Sequence, residues 1–222
     1  MKKTCENAFC SFLPEDERQL MCSQAKTVCY SAKQTCHLKI GGEGQLLIIS
    51  SGCLFIVRTR LDGRQLGTEV LSKGEVIGLT NLLRNTRDLT FYTNTDIKGC
   101  LIPHDFFYEF CLNRPEIARI IILHISLRHA RLINKMEHLT LDNSREKILY
   151  LIQKINYESS ISDSRIFAFT HEELALLAGA NRVTVSRAVK QLKQQGIITS
   201  VAKGKFRLTE SYYNTDYFAR QR

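Results

Sequence analysis

The stretch Leu174–Leu192, LALLAGANRVTVSRAVKQL, constrains this chain more than any other, because it holds two helical patterns broken by Gly179-Ala180-Asn181. On the second pattern Val185, Ala188, Val189 and Leu192 recur at i, i+3, i+4 and i+7, the spacing of one helix face. Val183, Ser186, Arg187 and Lys190 repeat that spacing two residues earlier, roughly 200° around a helix of 3.6 residues per turn. One stripe therefore faces a core and the other faces away. Upstream, Thr170-His171-Glu172-Glu173 has the order of a capping box, in which the Thr hydroxyl accepts a backbone N–H and Glu173 reaches back. A short helix begins there, with Leu174, Leu177 and Ala178 inward. Gly179 permits the turn that ends it, and Asn181 caps the second helix. Downstream, Ile197–Val201, Lys203-Gly204 and Lys205–Leu208 predict a two-stranded hairpin with a basic tip. Together these pieces predict a winged helix-turn-helix whose second helix is sized for the DNA major groove.

The charge is placed to match. The net charge is +9, and residues 143–222 hold 13 Lys+Arg against 7 Asp+Glu, so +6 of it lies there and +3 in the first 142 residues. A basic excess in a C-terminal portion points to a polyanion, with nucleic acid ahead of a membrane. No apolar N-terminal leader is visible, and apolar runs such as Ile120–Leu123 are far too short to span a bilayer. A cytoplasmic protein without a membrane partner is expected. In that compartment the eight cysteines are expected to be reduced thiols or ligands, not a disulfide framework.

Two further regions separate by pattern. From Cys29 to about Leu101, short apolar runs (Leu46–Ile49, Leu54–Val57, Thr68–Leu71) alternate with turn signals at Gly41-Gly42-Glu43-Gly44, Ser51-Gly52, Asp62-Gly63 and Lys73-Gly74. This predicts an antiparallel sandwich or barrel with a hairpin at Asp62-Gly63. After Pro103 the period changes. Pro115 suits the first position of a helix, with Glu116 behind it where the dipole favours an acid. From there Ala118, Ile122, Ile125, His129, Leu132, Met136 and Leu139 recur at alternating spacings of four and three, a heptad-like seam. Ile117, Ile120, Ile121 and Leu127 are left for a second apolar face. A helix apolar on two faces packs on its own domain and on something else, here expected to be the same helix of a second subunit. Asn143 or Asp142 then caps a helix to about Tyr157, and the Ser-rich stretch 158–165 reads as a loop.

The run Thr170-His171-Glu172-Glu173-Leu174-Ala175, Ala178-Gly179 and Val183-Thr184-Val185-Ser186-Arg187 resembles the winged helix-turn-helix of the cyclic-AMP-receptor/fumarate-nitrate-regulator (CRP/FNR) family of bacterial transcription factors. Upstream, Lys73-Gly74-Glu75-Val76-Ile77-Gly78 resembles a glycine-bounded turn of that family's effector β-roll, and Ile49-Ser50-Ser51-Gly52 an earlier one. Gly99-Cys100-Leu101-Ile102-Pro103 resembles the roll's last strand, and residues 113–139 the dimer helix. The resemblance implies an α+β chain: an N-terminal antiparallel, cyclic-nucleotide-binding-like β-roll that senses an effector (residues 1–114), a dimerisation helix (115–140) and a C-terminal winged helix-turn-helix (141–222). It implies a homodimer, seamed by Ile122, Ile125, His129, Leu132, Met136 and Leu139, on an inverted-repeat operator. Base reading falls to Arg187, Ser186, Val183 and Arg182, and phosphate contact to Lys190, Lys203, Lys205 and His171. RNA polymerase is a further partner if the protein activates. In fumarate-nitrate-type members the position three before the Ser is Glu; here it is Val183.

The departures concern the signal. Members that bind cyclic AMP carry a Glu after the glycine-bounded turn and an Arg-Ser pair about ten residues later. Here Gly78 is followed by Leu79, the pair falls near Leu89-Thr90, and Arg87 is two residues off. Without those charge-assisted contacts, cyclic nucleotide binding is not expected, and a small-molecule effector stays unidentified. Iron–sulfur members join a tight N-terminal cysteine cluster to a cysteine on the last roll strand. Cys100 resembles that last ligand, but Cys5, Cys10, Cys22, Cys29 and Cys36 include no close pair. Buried structural cysteines rank first, a redox-responsive thiol pair second, and an iron–sulfur cluster or other metal third. Cys53 and Cys100 read as core, whereas Cys5 and Cys10, in a flexible polar segment, read as the most reactive. Two other functions compete: an effector-independent DNA-binding protein with the roll as scaffold, and a cupin-like metal enzyme. The enzyme requires a His-x-His pair, and only His37 and His104 lie in that region, so no enzyme activity is expected.

Overall fold

The computed structural model describes residues 8–11, 13–39, 44–79, 89–159, 166–209 and 212. Cys5, Arg87 and the loop at 85–88 lie outside these. Helices α1 (Ala8–Ser11) and α2 (Glu15–Gln24) lead into eight strands: β1 (Lys26–Tyr30), β2 (Thr35–Leu38), β3 (Gln45–Ser51), β4 (Leu54–Thr59), β5 (Gln65–Leu71), β6 (Val76–Ile77), β7 (Leu89–Thr93) and β8 (Ile97–Pro103). They form two four-stranded sheets, β1-β8-β3-β6 and β2-β7-β4-β5. Strand β3 explains why the run Leu46–Ile49 is continuously apolar: it is buried on both faces. Leu47 and Ile49 point into the roll with Leu38, Leu54, Phe91 and Ile97. Leu46 and Ile48 point outward onto a second cluster, with Phe107, Phe110, Ile117 and Ile121. Burying each such side chain contributes about 1.5–3 kcal/mol.

Helices α3 (His104–Leu112), α4 (Pro115–Leu141) and α5 (Ser144–Ser159) follow. Pro115 opens α4 as the sequence predicts. Asn143 is the cap of α5: its Oδ1 accepts from Arg145 N (3.0 Å) and Glu146 N (3.1 Å), and Glu146 Oε2 accepts from Asn143 N (3.2 Å). The C-terminal part comprises β9 (Ile166–Ala168), α6 (His171–Ala178), α7 (Arg182–Gln194), β10 (Ile198–Ala202) and β11 (Lys205–Leu208). The expected two-stranded hairpin is present, β10 pairing antiparallel with β11. Strand β9 adds a third member that the sequence did not announce, in the order β10-β11-β9, with Phe206 opposite Phe167. Three residues of β9 are too few to show alternation, so only the partner 40 residues away defines them.

Two compact units result, residues 1–56 with 71–124, and residues 57–70 with 125–222. The outer half of the β4–β5 hairpin thus belongs to the second unit. There Lys135 Nζ donates to Gly67 O (2.6 Å) and Thr68 O (3.0 Å), and Arg128 is paired with Glu69. Burial is the main reason that the Lys135 ammonium is pulled down from 10.5 to about 8, with Glu69 opposing. Between those values the unfolded chain holds the proton that the fold gives up, so stability rises with pH from about 8 to 10.5. We expect the wild type to gain on the order of 1–3 kcal/mol over Lys135→Met across that window. Urea midpoints of the two proteins at pH 7.5 and pH 10 measure this; a constant difference would contradict it.

Candidate nucleic-acid interface

The helix-turn-helix is built by the local devices its sequence announces. Thr170 Oγ1 accepts from Glu173 N (3.1 Å), and Glu173 Oε2 accepts from Thr170 N (2.6 Å), closing the capping box of α6. Loss of such a cap costs about 1 kcal/mol. Gly179 ends α6 at φ 61°, a left-handed conformation that disfavours any residue with a Cβ. Asn181 Oδ1 then accepts from Thr184 N (2.8 Å) and starts α7.

On α7, Val185, Ala188, Val189 and Leu192 are 0–3% exposed. Val183, Ser186, Arg187 and Lys190 are all exposed on the other side, with Val183 at 59%. Its side chain adds nothing to the core and is placed to meet a partner. Arg182 is exposed as well, and its Nε lies 2.9 Å from Glu172 Oε1. Both side chains are largely in solvent, so the pair is worth less than about 1 kcal/mol and leaves Arg182 able to swing. His171 opens α6 half-buried; burial depresses its imidazole below the usual value, against the pull of Glu172, and keeps it neutral near pH 7.

The wing carries Lys203 and Lys205, both exposed, on either side of Gly204. Arg207, which the sequence reading missed, is exposed two residues after Lys205, while Phe206 and Leu208 between and beyond are buried. Period-two alternation was the signal that places Arg207 beside Lys205. Phe206 stacks on Phe169 at 4.3 Å, and Lys193 Nζ lies 4.9 Å from its ring centre, so the wing is braced from below.

The residues expected at the subunit seam split by burial. Ile117 and Ile121 of the second face are buried at 1% and 6%, whereas Ile122, Ile125 and Met136 are 63%, 44% and 68% exposed. Leu132 and Leu139 are half-buried and His129 is exposed. Leu127, assigned to the inner face, is instead 39% exposed, and Ile133, unassigned, is 51% exposed.

The cysteine expectations need one correction. Cys10 does not sit in a flexible polar segment. It is 4% exposed in α1 and packs with Phe9, Leu13 and Phe107. A helix of four residues is too short to show a period, and its polar flanks conceal it. Cys53 and Cys100 are core at 0% and 8%. Burial also pushes the Cys111 thiol up to about 11. Among the described residues no three His, Cys, Asp or Glu side chains stand close enough to hold a metal. In the roll, Leu79 is buried beneath α1, α3 and α4, Leu89 is in the interior cluster, and Thr90 Oγ1 lies 3.1 Å from His37 Nδ1.

A roll of two antiparallel sheets, a long helix and a winged helix-turn-helix define a two-domain DNA-binding regulator. Comparison with known families agrees in both parts: residues 31–114 match the cyclic nucleotide-binding domain and residues 146–210 the Crp-like helix-turn-helix domain. The chain belongs to the CRP/FNR family of transcription regulators. It is similar to the cyclic AMP receptor protein of Thermus thermophilus, with 25% identity over 71% of this chain and 73% of that one. The global nitrogen regulator of Synechococcus elongatus is 22% identical over 69% and 72% of the two chains. Among solved structures, FixK2 of Bradyrhizobium japonicum superposes with a TM-score of 0.71 at 16% identity, covering 86% of this chain and 97% of that one. The c-di-GMP-responsive regulator CLP of Xanthomonas campestris gives 0.70 at 19% identity, covering 88% and 99%. No described helix is long and apolar enough to cross a membrane.

Proposed function

We propose that the chain acts as a homodimer on an inverted-repeat operator, with α7 of each copy in the major groove. The observation that carries this reading is the exposed stripe Val183, Ser186, Arg187 and Lys190, set opposite a buried stripe of identical spacing. Arg187 offers a bidentate fork to guanine O6 and N7, Ser186 reaches a neighbouring base or phosphate, and Val183 meets a thymine methyl. Arg182 leaves Glu172 to join them. Lys190, Lys203, Lys205 and His171 touch phosphates, which fixes register without reading sequence. The exposed apolar residues Ile122, Ile125, Ile133 and Met136 supply the subunit seam. Two such domains then meet half-sites whose centres lie about one helical turn apart.

The roll is the sensor, and its effector is not a 3′,5′-cyclic nucleotide. Leu79 packed in the apolar cluster and Leu89 in the roll interior support this, since by resemblance they take the positions where members that bind cyclic AMP carry charge-assisted contacts. Cys5 is a candidate redox group, and RNA polymerase is a partner at activated promoters. Selection from a random duplex pool tests the reading. The wild type should recover an inverted repeat with a guanine in each half-site, and Val183→Glu should shift the selected motif toward a cytosine or adenine amino group at one pair. Recovery of no motif by the wild type would refute the docking; an identical motif from the variant would place Val183 away from the bases.

A further inference from the structure

Resting on the reading that this chain binds duplex DNA, we infer that the tip of the β4–β5 hairpin is a second DNA-backbone contact surface, with Arg58 and Arg60 meeting phosphates. The tip carries Arg58, Arg60 and Arg64, all exposed. Arg64 is neutralised by Asp62, its Nε and Nη2 donating to Oδ2 at 2.9 Å and 2.7 Å. Glu69 is taken by Arg128. Among the described residues no carboxylate pairs with Arg58 or Arg60, so two guanidinium groups stand uncompensated in solvent.

The hairpin is fixed beside the DNA-reading element. Lys135 and Arg128 clamp residues 67–69 onto α4. Gly67 lies so close to α6 that a Cβ there would sit 2.7 Å from Leu177 Cδ2. At Gly179 a Cβ would meet Leu66 Cδ1 at 3.3 Å. Leu66 therefore rests on the turn that joins α6 to α7. Recognition helices meet base edges with their N-terminal residues, and α7 begins three residues after Gly179, so this turn lies close to any duplex α7 enters. Beyond Leu66 the chain leaves the protein surface: residues 58–66 are all exposed, and Leu61 at the tip is fully so. The hairpin closes just past this anchor: Arg60 N donates to Arg64 O (2.9 Å), so Arg60 stands two residues beyond Leu66, roughly 7 Å along the strand, with its side chain reaching farther. A guanidinium held at that reach, without a carboxylate of its own, is suited to a phosphate. An acidic protein surface would meet the same charges, and the test separates it by omitting every other protein.

The test is the salt dependence of affinity for the duplex that the wild type selects, measured with purified protein alone. Four contacts per dimer are lost in the Arg58→Ala, Arg60→Ala variant, so the slope of log K against log salt should fall by about 3.6. The selected motif, the oligomeric state and the melting temperature should stay as in the wild type, because both side chains are exposed. Arg58→Lys with Arg60→Lys should keep most of the slope. An unchanged slope in the alanine variant, with Lys205→Ala lowering it in parallel, would overturn the hairpin contact and leave the DNA-binding reading intact. Failure of the wild type to bind any duplex would sink that reading and the hairpin contact with it.

Discussion

The double variant Ile122→Asp, Met136→Asp is expected to sediment as a monomer and to bind its operator at least about a hundredfold more weakly than the wild type. Both side chains are more than 60% exposed, so the substitutions leave the fold of one copy nearly untouched. In the proposed dimer they are covered by the partner helix, and each carboxylate enters a dry apolar seam. Desolvating an unpaired carboxylate costs several kcal/mol, and the dimer repeats each substitution. Loss of the seam also separates the two half-site contacts, which removes the gain from linkage, on the order of 10²–10⁴. Exposed Ile122, Ile125, Ile133 and Met136 are too many large apolar residues on one helix for a free surface. Sedimentation velocity reads the state directly. A dimer persisting in the double variant would place the subunit interface elsewhere.

Arg187→Ala is expected to weaken binding by about 5- to 150-fold per half-site, the equivalent of roughly 1–3 kcal/mol for one bidentate base contact. The loss should be specific. Preference at one base pair of each half-site disappears, while neighbouring positions keep theirs. Arg187 is exposed on α7, so its removal leaves the packed side of the helix intact, where its neighbours Ala188 and Val189 are buried at 3% and 2%. Lys205→Ala supplies the contrast. It should weaken every sequence alike and lower the salt slope by about one unit per lost contact. Competition with single-base operator variants distinguishes the two patterns.

The DNA-reading element is the most legible part of the chain because its determinants are local. A capping box, a left-handed glycine, an Asn cap and two offset stripes each occupy ten residues or fewer, and the structure realises all of them. The long helix was legible for the same reason, from Pro115 onward. What the sequence concealed depends on partners distant in the chain. Strand β9 exists through pairing with β11. Helix α1 exists because Phe9, Cys10 and Leu13 find the cluster around Phe107. The seat of the hairpin on α6 requires a glycine at residue 67, which within its own strand looks merely permissive. Arg58 and Arg60 carry no motif that singles them out in the sequence. They gain meaning only once Leu66 is found resting on Gly179.

The central claim is that α7 enters the major groove and reads guanine through Arg187, and guanine-N7 methylation interference on the selected operator tests it most directly. The N7 atom lies in the major groove and is one of the two acceptors the guanidinium would use. The account predicts that methylating one guanine per half-site blocks the wild type, with the two positions about one helical turn apart. The same modification should leave the residual binding of Arg187→Ala unchanged. Interference confined to adenine N3, which lies in the minor groove, or equal interference in wild type and variant, would contradict it.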